Sequence, residues 1–413
     1  MHDRIKENLK LSHHLSRPIL KRFPDMKPVC SVAKDEDISK AVFQALSKID
    51  LPDLTGKNIL LKPNVGRTAK KNTAINTSPD VVKAVFDYLR LNYRADYFIG
   101  DSPITGVVSR EAFIESGYSP LMNRKDLLYL DFDKRKPLTL KITDGRILNE
   151  IKVTGYFKDF DYIISIPVLK MHMHTGATLS LKNMKGMIYK KEKVKLHQLH
   201  CSDAVKKSFK ELDIAIADLS DVLAPDLAII DAYYAMEGMG PSAGDRVKMN
   251  TIISSTDYHA ADVVALALAG MKIEQVPHLQ LLSERRKGIR SIDDIETIPG
   301  NITPLVTRLK PPPKEIKINN CKVNLIDFGS CSACLYSIFQ FLTNNDKVIE
   351  NYFQEYGHMN IAVGKGIPDP SAETFLVGNC TIHKKHQGIF IKGCPPTQSS
   401  IVEAIGTNEG SQS

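Results

Sequence analysis

Cysteine is the residue type whose placement in this chain speaks most directly of chemistry. Seven occur in 413 residues. Four of them, Cys331, Cys334, Cys380 and Cys394, fall in the C-terminal quarter, preceded by Gly329-Ser330, Gly378-Asn379 and Gly393, with Pro395-Pro396 after the last. Glycine lets a backbone fold closely around an inorganic core and leaves amide N–H groups to point at sulfur. A proline after a cysteine is also met in runs that hold iron–sulfur clusters. The set is expected to bind one metal centre through thiolates, as a 4Fe-4S cluster or, alternatively, as a four-cysteine zinc site, because C-x2-C also opens zinc knuckles. Such zinc sites usually repeat the C-x2-C pair, whereas 13 residues lie between Cys380 and Cys394. Disulfides are argued down: Met1 to Asn8 has no apolar leader, and the chain has no run of about 18 apolar residues, so a cytoplasmic, membrane-free protein is expected. Cys321 reads as a small buried residue.

A second set of reactive side chains closes strand-like apolar runs. Lys62 and Asn64 end the run 58–64, Asp101 and Ser102 end 96–103, Lys170, His172 and His174 follow 161–167, and Asp231 ends 226–231, ahead of Glu237-Gly238-Met239-Gly240-Pro241. If the chain stays extended from Lys170, the period of two puts Lys170, His172 and His174 on one face, able to grip a metal or an anion; otherwise the histidines belong to an ordinary loop. Lys182, Asn183 and Lys185, with Thr175, Thr178 and Ser180, add donors suited to phosphate or carboxylate. The formal charge of +8 is uneven. Lysines at 158, 170, 182, 185, 190, 191, 193, 195, 206, 207 and 210 face only Asp159, Asp161, Glu192 and Asp203 in that stretch, which should attract anions. His197, His200 and Cys201 have metal-like spacing but read as ordinary loop and helix residues.

These residues need elements to place them. Helical patterns at Ile38 to Lys48, Pro79 to Leu91, Ala204 to Leu223 and His259 to Ala269, the last behind an Asp257 cap, alternate with the strand runs. The alternation predicts an α/β fold, a mostly parallel sheet flanked by helices, with ligands at the carboxyl ends of the strands. Leu309-Lys-Pro-Pro-Pro-Lys314 reads as a stiff connector. It divides the chain into an N-terminal extension (1–26), an α/β domain (27–310) and a C-terminal metal-binding module (311–413). That module is expected to be a smaller α/β cysteine-rich unit. Its expected strands are at 323–327, 360–363, 374–377 and 389–391, and its helices at 336–342, 347–356 and 399–405.

The blocks Lys62-Pro63-Asn64, Thr77-Ser78-Pro79, Gly100-Asp101-Ser102-Pro103, Pro167 to His172, Leu181-Lys182-Asn183-Met184-Lys185-Gly186, Met236-Glu237-Gly238-x-Gly240-Pro241 and Thr256-Asp257 to Asp262 together resemble the uncharacterised family known as domain of unknown function 362. The resemblance spans about residues 27 to 280, and it implies an α/β fold with the site at the strand ends. Members of that family are often described as iron–sulfur proteins, some with a ferredoxin-like module. The chain differs there, because it has no C-x2-C-x2-C-x3-C run and its cluster candidates are dispersed.

Several common activities are argued down. There is no P-loop, no G-x-G-x-x-G after a strand, no nucleophile elbow and no H-E-x-x-H. The expectation is an iron–sulfur oxidoreductase that passes electrons from a donor such as a ferredoxin to an anionic small molecule. Lys62, Asn64, Ser102, Lys170, Lys182, Asn183 and Lys185 would bind the substrate, His172 or His174 would donate a proton, and Asp101 or Asp231 would orient them or act as base. Two alternatives stay open. One is a dehydratase or isomerase using an exposed iron as Lewis acid. The other is a non-catalytic zinc or nucleic-acid-binding protein, against which 7% aromatic residues and no Trp argue, since stacking platforms are scarce.

Overall fold

A computed structural model of the chain describes residues 27–190, 192–199, 209–286, 289–312, 322–330 and 332–408. The N-terminal extension, His200, Cys201, the start of the helix expected from Ala204, Pro313 and Lys314 of the connector, Cys321 and Cys331 lie outside the described residues. The chain divides into two compact units, 1–312 and 313–413.

The strands are β1 (Val29–Lys34), β2 (Asn58–Pro63), β3 (Asp96–Asp101), β4 (Leu128–Asp131), β5 (Leu138–Lys141), β6 (Glu150–Val153), β7 (Tyr162–Ile166), β8 (Val168–His172), β9 (Gly176–Thr178), β10 (Leu227–Glu237), β11 (Asp245–Ser255) and β12 (Glu296–Ile298) in the first unit. The second unit has β13 (Val323–Phe328), β14 (Met359–Gly364), β15 (Thr374–Val377) and β16 (Ile389–Ile391).

Ten strands form one sheet in the order β12-β1-β11-β10-β7-β2-β3-β4, with β8 attached to β10 and β9 to β8. The pairs around β7, β2, β3 and β4 are parallel, while β11 runs antiparallel to β1 and β10. β2 is apolar on both faces: Ile59 and Leu61 enter one core with Val42, Val85 and Phe86, and Leu60 enters the other with Phe98, Ile163 and Ala228. A strand covered on both faces reads as a continuous apolar run, which is why these strands stand out in the sequence.

The helix Ile38–Leu46 starts at Asp37, whose carboxylate accepts from the amides of Ser39 and Lys40, and the helix Tyr258–Leu268 starts at Asp257 in the same manner. Two expectations are refined. The helix expected from Ala204 is described as Glu211–Leu223. The run ending at Asp231 does not end there: β10 continues to Glu237, with Asp231 inside it, beside an irregularity between Ala232 and Tyr234. Pro167 separates β7 from β8, and β10 pairs first with one and then with the other, its Asp231 amide donating to the Pro167 carbonyl.

The second unit carries a four-stranded, wholly parallel sheet in the order β13-β14-β15-β16. The helices Ser332–Asn344, Asp346–Tyr356 and Gln398–Asn408 accompany it. All four strands match their expected runs closely.

Candidate functional site

At the carboxyl end of β2, Lys62 is fully buried, and burial lowers its pKa against the pull of Asp101. Its Nζ donates to Asp101 Oδ1 at 2.8 Å, to Asn183 Oδ1 at 3.1 Å and to the Pro63 carbonyl at 3.2 Å. Asp101, at the end of β3, accepts in addition from the amides of Val65 (2.7 Å) and Ser102 (2.9 Å). Asn183 returns its Nδ2 to the Lys62 carbonyl at 3.1 Å and to Ser165 Oγ at 3.0 Å. The triad Lys62–Asp101–Asn183 is therefore a closed, fully satisfied core that ties three strand ends to the short helix Ser180–Asn183. Gly186 is held to glycine by this core. A Cβ there would stand 1.8 Å from Asp101 Oδ1 and 2.6 Å from Lys62 Nζ.

Ser102 Oγ donates to Asp133, and Lys193, which the motifs did not single out, donates to the carbonyls of Ser102 (2.8 Å) and Pro103 (2.9 Å) and lies close to Ser102 Oγ. Burial brings the Lys193 pKa down to about 8, with Asp133 and Asp101 opposing. Asn64 hands its amide to Thr77 Oγ1, and Thr77 donates onward to the Ile166 carbonyl. The Asn64 Oδ1 is buried without a hydrogen-bond partner among the described residues.

The second group gathers on the hairpin β8–β9 and the helix after it. Lys170 and His172 lie two apart on β8 and share a face, whereas the chain turns at 173–175, so His174 is on the turn. Lys170 Nζ donates to the Ile75 carbonyl at 2.6 Å, and Lys182 Nζ to Thr178 Oγ1 at 3.1 Å. Burial first, then the Arg67 charge, brings Lys170 down to about 7. Lys182 is pushed well below its ordinary value by burial and then by Lys185, Lys170 and Arg67, against Asp213. His172 is pushed well below its ordinary value by burial, then by Lys182, His174, Lys170 and Lys185. It is thus neutral near pH 7, and its Nδ1 accepts from the His174 amide at 3.2 Å, which leaves the proton on Nε2. The His174 ring faces that of His197 at 6.4 Å between centroids. Arg67 went unnoticed in the sequence because it does not sit at the end of a strand run, and Lys193 was counted only as one of the lysines of the basic stretch.

Two buried carboxylates hold the frame. Asp231 accepts from the amides of Ser78 (2.8 Å) and Tyr233 (3.1 Å), so it anchors the start of the helix Pro79–Asn92. Asp262 accepts from the amides of Ser180 (2.8 Å) and Leu181 (3.3 Å) and anchors the helix that carries Lys182 and Asn183. Burial raises both to about 7.

In the second unit, Cys334 is buried on the helix Ser332–Asn344, and its Sγ stands 3.1 Å from where a Gly378 Cβ would be. Gly378, at φ +96°, follows β15, and Gly393 follows β16. The two loops are pinned together: the Asn379 amide donates to the Gly393 carbonyl at 2.8 Å and the Gly393 amide to Asn379 Oδ1 at 2.9 Å. Cys380 and Cys394 follow on these loops, each half-buried. No three His, Cys, Asp or Glu side chains among the described residues are arranged to hold a single metal ion.

Residues 59–267 match the family model described as Domain of unknown function (DUF362). The chain belongs to this family. The match takes in β2 through most of the helix Tyr258–Leu268, and so the whole Lys62–Asp101–Asn183 core and the lysine cluster. A relative, the thylakoid-associated protein sll1697 of Synechocystis sp., is 28% identical over 278 residues, which is 66% of this chain and 79% of that protein. Two solved structures are similar in fold. The lactate racemase apoprotein of Thermoanaerobacterium thermosaccharolyticum has a TM-score of 0.40 at 10% identity, over 60% of this chain and 58% of that one. A Thermotoga maritima protein has a TM-score of 0.33 at 16% identity, over 60% and 59%. The chain thus spans less than two thirds of either solved chain. Among the described residues, no helix is long and apolar enough to cross a membrane.

Proposed function

We propose that the DUF362 domain binds an anionic small molecule at the strand ends and that the protein is an oxidoreductase whose C-terminal thiolates hold a 4Fe-4S cluster. One observation carries the ligand class. Lys170 and Lys182 donate to neutral oxygens, the Ile75 carbonyl and the Thr178 hydroxyl, while Arg67 depresses Lys170, and Lys185, Lys170 and Arg67 depress Lys182, by repulsion. Clustered ammonium groups, buried at Lys170 and half-buried at Lys182 and Lys185, are relieved by an oxyanion, which accepts several charge-assisted hydrogen bonds at once. His172, neutral with its proton on Nε2, is the candidate donor to a reduced ligand. Lys62, Asp101 and Asn183 serve as the scaffold beneath, because their polar atoms already satisfy one another.

The cluster assignment is supported by Cys334 Sγ lying beside Gly378, on one of the two pinned loops from which Cys380 and Cys394 follow; Cys331, the fourth thiol, lies outside the described residues. Such a group, when bound, supplies single electrons. Iron, sulfide and zinc analysis of anaerobically purified protein tests it: equal iron and sulfide support the reading, and zinc alone overturns it. Titration with sulfate tests the anion site. Wild-type protein is expected to bind, and Lys182→Ala to bind about tenfold or more weakly, the scale of one charged hydrogen bond. Equal binding by both would refute the site.

A further inference from the structure

Because β13, β14, β15 and β16 run parallel, the loops that follow them emerge at one end of their sheet. That end holds the two half-buried thiols, Cys380 after β15 and Cys394 after β16. Its charge is of one sign where the thiols are: residues 378–398 carry Lys384, Lys385 and Lys392, with His383 and His386, and no carboxylate. Acids of the same unit collect on another element, Asp346, Glu350 and Glu355 all lying on the helix Asp346–Tyr356. Two carboxylates stand near the strand ends, and both are engaged: Asp327 accepts from the Ser330 amide at 3.0 Å, and Asp369 pairs with Lys384. Lys385 and Lys392 are exposed. The basic groups sit close to the thiols along the chain, since His383 Nδ1 donates to the Cys380 carbonyl at 3.0 Å and Lys392 is two residues before Cys394. Two large apolar side chains are exposed at the same end, Phe328 at 50% and Ile382 at 52%. Phe328 is joined to the next loop by the Lys365 amide, which donates to its carbonyl at 2.9 Å.

Apolar contacts flanked by charges of one sign have the anatomy of a protein interface, in which the charges steer and orient an oppositely charged partner. A nucleic-acid strand is poorly served, because it needs successive aromatic platforms and Phe328 is the one exposed Phe or Tyr among the described residues. We propose that this end of the second unit is the docking surface for an acidic protein that carries a one-electron centre, its carboxylates facing Lys384, Lys385 and Lys392 and its apolar contact covering Phe328 and Ile382. The inference rests on the cluster reading and names the partner within it. In the exchange the carrier is oxidised by one electron, the thiolate-held group is reduced by one, and no bond is made or broken.

Calorimetric titration of the full chain, purified anaerobically, with a plant-type ferredoxin tests the surface without relying on turnover. Binding is expected at about 0.1 M salt and is expected to weaken tenfold or more at about 1 M, as the screening length falls from about 10 Å to about 3 Å. Reversing two exposed charges together, Lys385→Glu with Lys392→Glu, is expected to weaken binding at the lower salt by about tenfold, with iron per chain unchanged. Ile382→Ser is the second variant and is expected to weaken binding at both salt concentrations. Iron-bearing protein that does not bind the ferredoxin, or binding kept in both variants, overturns the proposal. Loss of iron in the charge-reversed variant overturns it too, because those lysines would then belong to the metal site. Tighter binding of a uridine homopolymer, lost in the same variants, overturns it in favour of nucleic acid. Protein that purifies with zinc alone overturns the cluster reading beneath it, a result read from the metal content and separate from the docking measurement.

Discussion

Lys62 is an ammonium with no route to water, and it is stable there because Asp101 and Asn183 meet it on one side and the Pro63 carbonyl on another. Removing one member of such a pair leaves the other charge buried and uncompensated, a loss of about 3–5 kcal/mol. Gly186→Ala drives a methyl group into this pair. It is expected to lower unfolding free energy by about that amount in a denaturant titration, and Lys62→Ala by a similar amount. Lys170 makes the opposite case: its pKa of about 7 means that it loses charge as pH rises through neutrality. Sulfate keeps its charge over the same range. Its affinity is expected to fall from about pH 6 to about pH 8, with proton uptake on binding, and Lys170→Arg to flatten that profile because a guanidinium stays charged.

The elements that carry the site are tied down by buried carboxylates. Asp262 anchors the first amides of the Ser180–Asn183 helix and Asp231 the Ser78 amide at the head of Pro79–Asn92. Both have folded pKa values near 7, above those of an unfolded carboxyl. The folded state therefore holds these protons more tightly. Their contribution is fully present below about pH 4 and is lost as pH rises through about 7. Thermal midpoints measured between about pH 4 and about pH 7 are expected to decline less steeply in Asp231→Asn and Asp262→Asn than in wild-type protein. Most elements were legible in the sequence because their strands are covered on both faces and read as unbroken apolar runs. The exceptions have local causes. β10 continues through Asp231 because two backbone amides satisfy the carboxylate inside the sheet, and β8 turns after His172, which takes His174 off the shared face.

At the scale of the whole molecule, the chain is two units that divide at Pro312. The first has its own two-faced core, so a fragment of residues 27–312 is expected to melt cooperatively and to keep the sulfate affinity of the full chain. Loss of binding in a folded fragment would show that the second unit contributes to the site. Within the second unit, Gly378→Ala crowds the Cys334 sulfur at a backbone angle that disfavours a side chain. It is expected to reduce bound metal per chain by elemental analysis while leaving sulfate binding unchanged.

By itself the sequence determined the α/β class, the family and the residue types gathered at the strand ends, since apolar periodicity and a contiguous Lys182-Asn183-Met184-Lys185-Gly186 block are local patterns. Only the tertiary structure decided which charges answer one another. Lys62 and Asp101, 39 positions apart, neutralise each other, whereas Arg67 and Lys170 are brought close enough to Lys182 to depress its pKa by repulsion. The partner of a buried charge is set by how distant segments pack, and burial removes the water that would otherwise make that choice unimportant.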